Sequence, residues 1–184
     1  METKLLSDHA EDLLEAAELL QNGAVVGMPT ETVYGLAADA RNPEAVRQIF
    51  AAKGRPADNP LIVHIAEMRA LEQVAATVPP LAEKLAERFW PGPLTMILPK
   101  RKEIPEITSG GLDTVGIRMP SHPVARALIQ LSGVPIAAPS ANISGYPSPT
   151  TAQHVMRDMQ GKIAAVVDLS LIHISEPTRR TPIS

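Results

Sequence analysis

The amino-acid sequence predicts an α/β (α+β) domain in which a mixed β-sheet lies between layers of helices. Stretches with apolar residues at helical spacing alternate with short apolar runs typical of buried strands. The long connection from residue 99 to residue 113 argues against a strict strand–helix–strand repeat. The chain has 184 residues, of which 45% are hydrophobic, so one core and a single domain are expected.

The first third of the chain predicts two helices and one strand. Asp8 and Glu11 resemble a capping box, and apolar residues then recur at helical spacing until Asn22-Gly23 ends the helix. The apolar run 24–28 predicts a buried strand. Asn42-Pro43 predicts the start of a second helix that ends before Gly54, which places residue 53 at a helix C-terminus.

The rest of the chain continues this alternation. We predict strands over 61–65, 94–98, 114–119, 136–138 and 163–168. Two short helices should follow the first of these strands, the second of them over 80–89, and another helix should cover 123–131. A last helix should run from a capping box at Thr150 and Gln153 to Gly161.

Composition narrows the class of protein. The formal net charge is −3, so any RNA-binding surface would have to be local. The absence of Cys excludes disulfides and thiolate chemistry and fits a reducing compartment, so a cytoplasmic location is expected. The first twenty residues are acidic rather than signal-like, and no run of about eighteen apolar residues predicts a membrane span.

Cationic and hydroxyl side chains at the ends of predicted elements indicate a site for small anions. Residues 53–55 (Lys-Gly-Arg) precede an Asn59-Pro60 turn, and residues 139–142 (Pro-Ser-Ala-Asn) follow a short apolar run. Arg offers a planar fork, Lys a compact charge and Ser a hydroxyl, which together suit phosphate and carboxylate groups. Such a site would act by electrostatics rather than through a protein nucleophile. The scattered histidines predict no protein-bound metal.

Taken singly, these residues also have ordinary structural explanations. Lys53 and Arg55 fit solvated surface charges, and Ser140 fits a turn. His64, flanked by apolar neighbours, is typical of a half-buried strand position. Glu31 is either a turn residue or a carboxylate that faces an amino group or a hydrated Mg²⁺. Only their combination predicts a site.

Five segments of the sequence resemble one known family. They are PTETVYGL at 29–36, AAKGRPADNPLIVHI at 51–65, FWPGPLT at 89–95, GLDTVGIRMPSHP at 111–123 and VPIAAPSANISGYPSPT at 134–150. In content, order and spacing they are similar to the YrdC-type threonylcarbamoyl-AMP synthases. The resemblance runs from Gly23 to about Asp168 and implies a YrdC-like three-layer domain with a twisted mixed sheet flanked by helices.

The resemblance also implies a reaction and a set of ligands. The family joins L-threonine, bicarbonate and ATP into threonylcarbamoyl-AMP and pyrophosphate, with Mg²⁺ carried by ATP. The product serves the threonylcarbamoyladenosine modification of tRNA through a downstream threonylcarbamoyl-transferase complex. By position, the resemblance implies L-threonine contacts from Thr32, His64, Arg118 and Ala138, ATP contacts from Arg55, Asn59, Thr114, Ser140 and Ser148, and a catalytic quartet of Lys53, Arg55, Ser140 and Asn142.

The end of the chain departs from the family pattern. Where the family continues with glycine-rich, Ser-Thr and Arg-Pro-Gly segments, this chain reads LSLIHISEPTRRTPIS. We therefore expect residues 1–168 to form a C-terminally incomplete YrdC-like domain and residues 169–184 to be a non-family tail that reads like translated adapter sequence. Loss of the closing segments would expose a sheet edge and part of the pocket. That leaves the activity of these 184 residues, and a further domain in the native gene, as open questions.

Two other classes of function remain open from the sequence. The first is a maturation factor without catalysis that binds tRNA or double-stranded RNA through residues 100–102 (Lys-Arg-Lys). The second is a carbamoyl-transfer module like that of hydrogenase maturation proteins. Those proteins carry zinc-finger-like regions, which this chain has no Cys to build.

Overall fold

A mixed sheet forms the centre of the molecule, and the computed structural model describes residues 1–169 of it. The strands are β1 (Lys4–Leu6), β2 (Val26–Met28), β3 (Gly35–Asp39), β4 (Ile62–His64), β5 (Thr95–Pro99), β6 (Thr114–Arg118), β7 (Ile136–Ala137) and β8 (Ala165–Val167). The helices are α1 (Ala10–Gln21), α2 (Pro43–Lys53), α3 (Leu71–Val74), α4 (Pro80–Phe89), α5 (Glu106–Ser109), α6 (Pro123–Ser132) and α7 (Ala152–Met159), with a 3₁₀ turn at Met68–Ala70.

Within residues 1–169 all eight strands join one sheet in the order β1-β8-β2-β3-β7-β4-β6-β5. β8 runs parallel to β1 and to β2, and β4 runs parallel to β6, whereas the remaining neighbours are antiparallel. This sheet confirms the prediction of a mixed α/β domain.

The two faces of the sheet carry separate hydrophobic cores. Leu36, Val63 and Ile117 belong to the larger core, to which α2 and α4 also contribute. The second core lies under α1 and α6, which pack against each other, and its strand residues come from β1, β2, β3, β7 and β8. None of the buried members of this second core lies on β4, β5 or β6. The layer formed by α1 and α6 therefore leaves that end of its sheet face uncovered.

Local sequence signals place α2 as predicted. The Asn42 side chain accepts hydrogen bonds from the backbone N–H groups of Glu44 at 3.0 Å and Ala45 at 3.3 Å, and Pro43 occupies the first turn. Gly54 ends the helix at φ +63°, a conformation that a residue with Cβ adopts only under strain. The chain thus turns sharply immediately after Lys53.

Two of the predicted helix caps are wrong. α1 has His9 at its N-cap with no side-chain hydrogen bond, so Asp8 and Glu11 form no capping box. Asp12 instead accepts hydrogen bonds from the Ser7 N–H at 2.7 Å and the Ser7 Oγ at 2.8 Å. In α7 the cap is Thr151 rather than its neighbour, with Oγ1 accepting from the His154 N–H at 3.2 Å.

Other differences concern short elements. β1 and β3 were not predicted, because β1 has only three residues and β3 consists mainly of Gly and Ala, which have low strand propensity. The connection over 99–113 contains α5.

The expected tail falls, apart from Leu169, outside the described residues. No helix in the described part of the chain is long and apolar enough to cross a bilayer.

Candidate functional site

A cavity of about 300 Å³ opens where β4 and β6 end, beside the uncovered part of the sheet face. The two strands are parallel, so their last residues, His64 and Arg118, meet at the same edge of the sheet. The lining residues are Thr30, Thr32, Val33, Tyr34, Gly35, Arg55, Pro60, Leu61, Ile62, His64, Arg118, Ala138, Pro139 and Ser140.

His64 and Arg118 are neighbours in the strand register, and each has a buried nitrogen that lacks a hydrogen bond within residues 1–169. His64 is only 3% exposed, which excludes the half-buried alternative, and its Nδ1 has no partner. Burial, followed by the nearby charge of Arg118, lowers the pKa of His64 to about 4, so the imidazole is neutral at pH 7. Since buried polar groups normally have partners, the open Nδ1 of His64 beside the Arg118 guanidinium indicates a polar ligand.

Two loops hold the Arg118 side chain. Its Nε donates to the backbone oxygen of Gly92 at 3.1 Å, and its Nη2 lies 2.5 Å from Glu31 Oε1. That second contact is an ion pair by distance, but its angle does not make it a regular hydrogen bond. The other Glu31 oxygen, Oε2, accepts from both the N–H and the Oγ of Ser121 at 2.5 Å. Burial by itself would raise the pKa of Glu31, but these Ser121 hydrogen bonds and the charge of Arg118 lower it overall.

A buried lysine supports the wall of the cavity from behind. Lys53 is 2% exposed, which excludes the surface-charge alternative. Its Nζ donates to the backbone oxygen of Ser140, to the backbone oxygen of Asn142 at 2.9 Å and to Asn142 Oδ1 at 3.4 Å. Ser140 Oγ donates to the same Oδ1 at 2.5 Å. Burial, and then the charge of Arg55, lowers the pKa of Lys53 to about 8.

Arg55, two residues after Lys53, is a second cation that lines the cavity. The Arg55 guanidinium carbon lies 5.6 Å from the centre of the Phe50 ring, which fixes the side chain by a cation–π contact. The neighbouring turn at Pro60 packs closely against Gly110, where a Cβ would lie 2.8 Å from the Pro60 nitrogen. Only glycine allows this approach, which holds the Pro60 side of the cavity in place.

The structure brings most of the predicted site residues together, but not all of them. Six line the cavity: Thr32, Arg55, His64, Arg118, Ala138 and Ser140. Lys53 and Asn142 lie behind Ser140 and reach the cavity only through it. Three predicted nucleotide contacts, Asn59, Thr114 and Ser148, lie outside the lining residues.

Ile62, a lining residue, continues into an exposed apolar row on the sheet. The register aligns Ile62 with Gly116 and Gly116 with Ile97. Ile62 is 38% exposed and Ile97 is 71% exposed. Thr114 and Arg118 share this face with Gly116, because alternate residues of a strand point to the same side. The cavity floor therefore extends as a flat, partly apolar surface.

Neither a metal site nor a free basic patch stands out in the part of the chain that the structure describes. No three His, Asp or Glu side chains within residues 1–169 are grouped to hold a metal ion. In the basic triplet, Lys100 donates to the Ile104 oxygen at 2.8 Å and lies 3.5 Å from Glu106, while Arg101 donates to the Glu72 oxygen at 3.1 Å. These internal contacts engage two of the three cations proposed for RNA.

Comparisons with known proteins agree with this fold. The family model Sua5_yciO_yrdC, described as "Telomere recombination", matches residues 18–179. A threonylcarbamoyl-AMP synthase of Pyrococcus abyssi is 59% identical over 153 residues, which are 83% of this chain and 45% of that protein. One from Bacillus subtilis is 55% identical over 168 residues, 90% of this chain and 48% of that protein.

A solved structure agrees as well. The crystal structure of P. abyssi Sua5 complexed with L-threonine superposes with a TM-score of 0.87 at 53% identity, covering 92% of this chain and 50% of that one. The chain thus spans about half the length of these relatives. By its sequence and its fold, the chain belongs to the Sua5/YciO/YrdC family.

Proposed function

We propose that this chain is the YrdC-like domain of an L-threonylcarbamoyladenylate synthase, a nucleotidyltransferase. Its substrates would be L-threonine, bicarbonate and ATP with its bound Mg²⁺, and its products threonylcarbamoyl-AMP and pyrophosphate. The observation that carries the proposal is a shared cavity in which Arg118 and His64, whose buried Nδ1 has no hydrogen-bond partner within residues 1–169, lie beside Arg55 and Ser140. The names of the relatives and the L-threonine complex of one of them support it.

The amino acid fits the Arg118 end of the cavity. A guanidinium presents donors in a planar fork that matches a carboxylate, so Arg118 would hold the carboxylate of L-threonine. Neutral His64, adjacent in the register, would form a hydrogen bond through Nδ1 without adding charge. Thr32 and the backbone at Ala138 complete this end of the proposed site.

The nucleotide fits the other end. Arg55 and Ser140 would contact phosphate oxygens, with Lys53 and Asn142 holding Ser140 in position from behind. Asn59, Thr114 and Ser148, which lie beyond the lining residues, would contact the parts of ATP that extend out of the cavity. The apolar row at Gly116 offers a flat surface for the base. Mg²⁺ would stay on the phosphates, since the Glu31 carboxylate is already engaged by Arg118 and Ser121.

The chemistry requires alignment and charge neutralisation rather than a protein nucleophile. The amino group of threonine and bicarbonate give a carbamate and water. A carbamate oxygen then forms a bond to the α-phosphorus, the bond to the bridging oxygen breaks, and pyrophosphate leaves. Holding both substrates in one cavity supplies the alignment. Arg55 would offset the negative charge that grows on the phosphate oxygens.

The product is a mixed anhydride, so it needs a partner that transfers its threonylcarbamoyl group. We place that step on tRNA, through a threonylcarbamoyl-transferase complex in the cytoplasm.

Substitution of Arg55 tests the proposal. Pyrophosphate release that depends on both L-threonine and bicarbonate should be present in the unaltered chain and absent in Arg55→Ala, while the thermal unfolding midpoint stays the same. Arg47→Ala is the matched control, because Arg47 lies on the exposed side of α2, where it pairs with Glu44. Undiminished release from Arg55→Ala would refute the assigned role, and no release from any variant would refute the activity of these 184 residues.

The RNA-binding alternative predicts different behaviour. Binding driven by phosphate contacts weakens steeply as salt concentration rises and needs neither threonine nor bicarbonate. Because Lys100 and Arg101 are engaged internally, we expect tRNA affinity to be low and unchanged by Lys102→Ala in a filter-binding titration.

A further inference from the structure

A carboxylate behind the cavity holds the arginine that faces into it. Glu31 belongs to the loop between β2 and β3, and its neighbours Thr30 and Thr32 line the cavity, whereas Glu31 itself is not among the lining residues. Its Oε1 nevertheless lies 2.5 Å from Arg118 Nη2. Glu31 therefore contacts the ligand-facing arginine without lining the space that a ligand would fill.

The position of the Glu31 carboxylate is itself fixed. Oε2 accepts two hydrogen bonds from Ser121, one from the backbone N–H and one from Oγ. Ser121 lies three residues after Arg118, just beyond the end of β6. A carboxylate tied at one oxygen to the backbone leaves its other oxygen at a set distance from the guanidinium.

The guanidinium is thus held on two of its three nitrogens. Nε donates to Gly92 O and Nη2 pairs with Glu31, and neither contact uses Nη1. A long side chain loses rotamer entropy when a ligand orders it, and one that is already ordered avoids that cost at the moment of binding.

We propose that Glu31 is a positioning residue that sets the orientation of Arg118, so that the guanidinium is ordered before a carboxylate ligand arrives. This inference rests on the proposed function for the identity of the ligand, L-threonine, but not for the ordering of Arg118. Glu31 does not compete with the ligand, because it lies outside the cavity lining and is anchored to Ser121.

Two measurements test the inference. The first is calorimetric titration with L-threonine, where Glu31→Gln should weaken binding about tenfold because the ion pair that orders Arg118 is lost, with ATP binding unchanged. Glu31→Asp keeps the charge but has a shorter side chain, so its affinity for L-threonine should lie between those of the unaltered protein and Glu31→Gln. Glu67→Gln is the control, since it removes one charge from an exposed pair with Arg69.

The second measurement needs no ligand. In the NMR spectrum of the free protein, the Arg118 Nε–H signal, assigned with Arg118→Lys, should exchange slowly with water and become fast in Glu31→Gln. If the Nε–H signal and the threonine affinity are both unchanged in Glu31→Gln, the inference is wrong, although the proposed function stands. Tighter threonine binding would also overturn it, since Glu31 would then be a competitor. If the unaltered chain binds no L-threonine but the Nε–H signal depends on Glu31, the proposed function fails and the ordering role stands.

Discussion

His64 and Arg118 are adjacent residues on parallel strands that both line the cavity, and the buried Nδ1 of His64 has no hydrogen-bond partner within residues 1–169. One is neutral at pH 7 and the other is cationic, so the pair carries a single positive charge, which Glu31 partly offsets, and polar nitrogens spread over two side chains. This combination suits a single carboxylate better than a phosphate, which carries more charge and more oxygens. The arrangement therefore separates the amino-acid end of the cavity from the nucleotide end.

Replacement of Arg118 by lysine should weaken threonine binding. Lysine keeps the charge but has one nitrogen, which cannot serve Gly92 O, Glu31 and a carboxylate together. We expect the Kd for L-threonine in Arg118→Lys to rise about 10- to 100-fold, with the Kd for ATP changed less than about twofold, both measured by calorimetry. An equal loss for both ligands would show that Arg118 serves the nucleotide as well.

The buried imidazole of His64 should make the protein less stable in mild acid. Its pKa is lowered from 6.5 to about 4, so the unfolded chain takes up a proton below pH 6.5 while the folded chain does not. The resulting stability is present above pH 6.5 and is lost as the pH falls towards 4. At pH 5 the loss amounts to about 2 kcal/mol of unfolding free energy.

Urea denaturation at pH 7.5 and pH 5 measures this effect. His64→Gln should lose about 2 kcal/mol less than the unaltered protein between the two pH values, because glutamine does not titrate. His154→Gln, at an exposed position on α7, should lose as much as the unaltered protein. Equal losses in all three proteins would mean that His64 does not titrate differently in the folded state.

The sequence predicted the features that local signals determine, but not those that depend on long-range contacts. The α2 boundaries were predictable because Asn42, Pro43 and Gly54 act within one turn of the helix. β3 was not, because Gly and Ala carry little strand preference and its place depends on pairing with β2 and β7. The contact between Glu31 and Arg118 was not predictable for the same reason. It depends on the order of the strands in the sheet, which the residues next to Glu31 or next to Arg118 in the sequence do not reveal.

Removal of the Lys53 charge should disturb the wall of the cavity. Lys53 donates to three oxygens on Ser140 and Asn142, and a methionine of similar length would remove the donor of the two backbone oxygens, while Asn142 Oδ1 would keep its hydrogen bond from Ser140 Oγ. We expect Lys53→Met to lower the unfolding free energy by about 1–3 kcal/mol and to reduce pyrophosphate release about 100-fold. Lys84→Met, on the exposed side of α4, is the control. Normal release from a destabilised Lys53→Met protein would show that the wall need not be ordered.

Gly116 offers a test of where the nucleotide lies. It sits between Ile62 and Ile97 on the uncovered sheet face, and a Cβ there would lie 3.3 Å from Thr95 Cγ2 and 3.6 Å from Ile62 Cγ1. Alanine therefore needs only a small adjustment, whereas the branched side chain of valine would rise above the row and displace a flat base. In steady-state assays we expect Gly116→Val to raise the KM for ATP about tenfold and Gly116→Ala to change it less than about twofold, with the Kd for L-threonine constant in both. Valine also favours strands, so folding should be retained. An unchanged KM for ATP in Gly116→Val would place the base elsewhere, and a raised Kd for threonine would place the amino acid on this row instead.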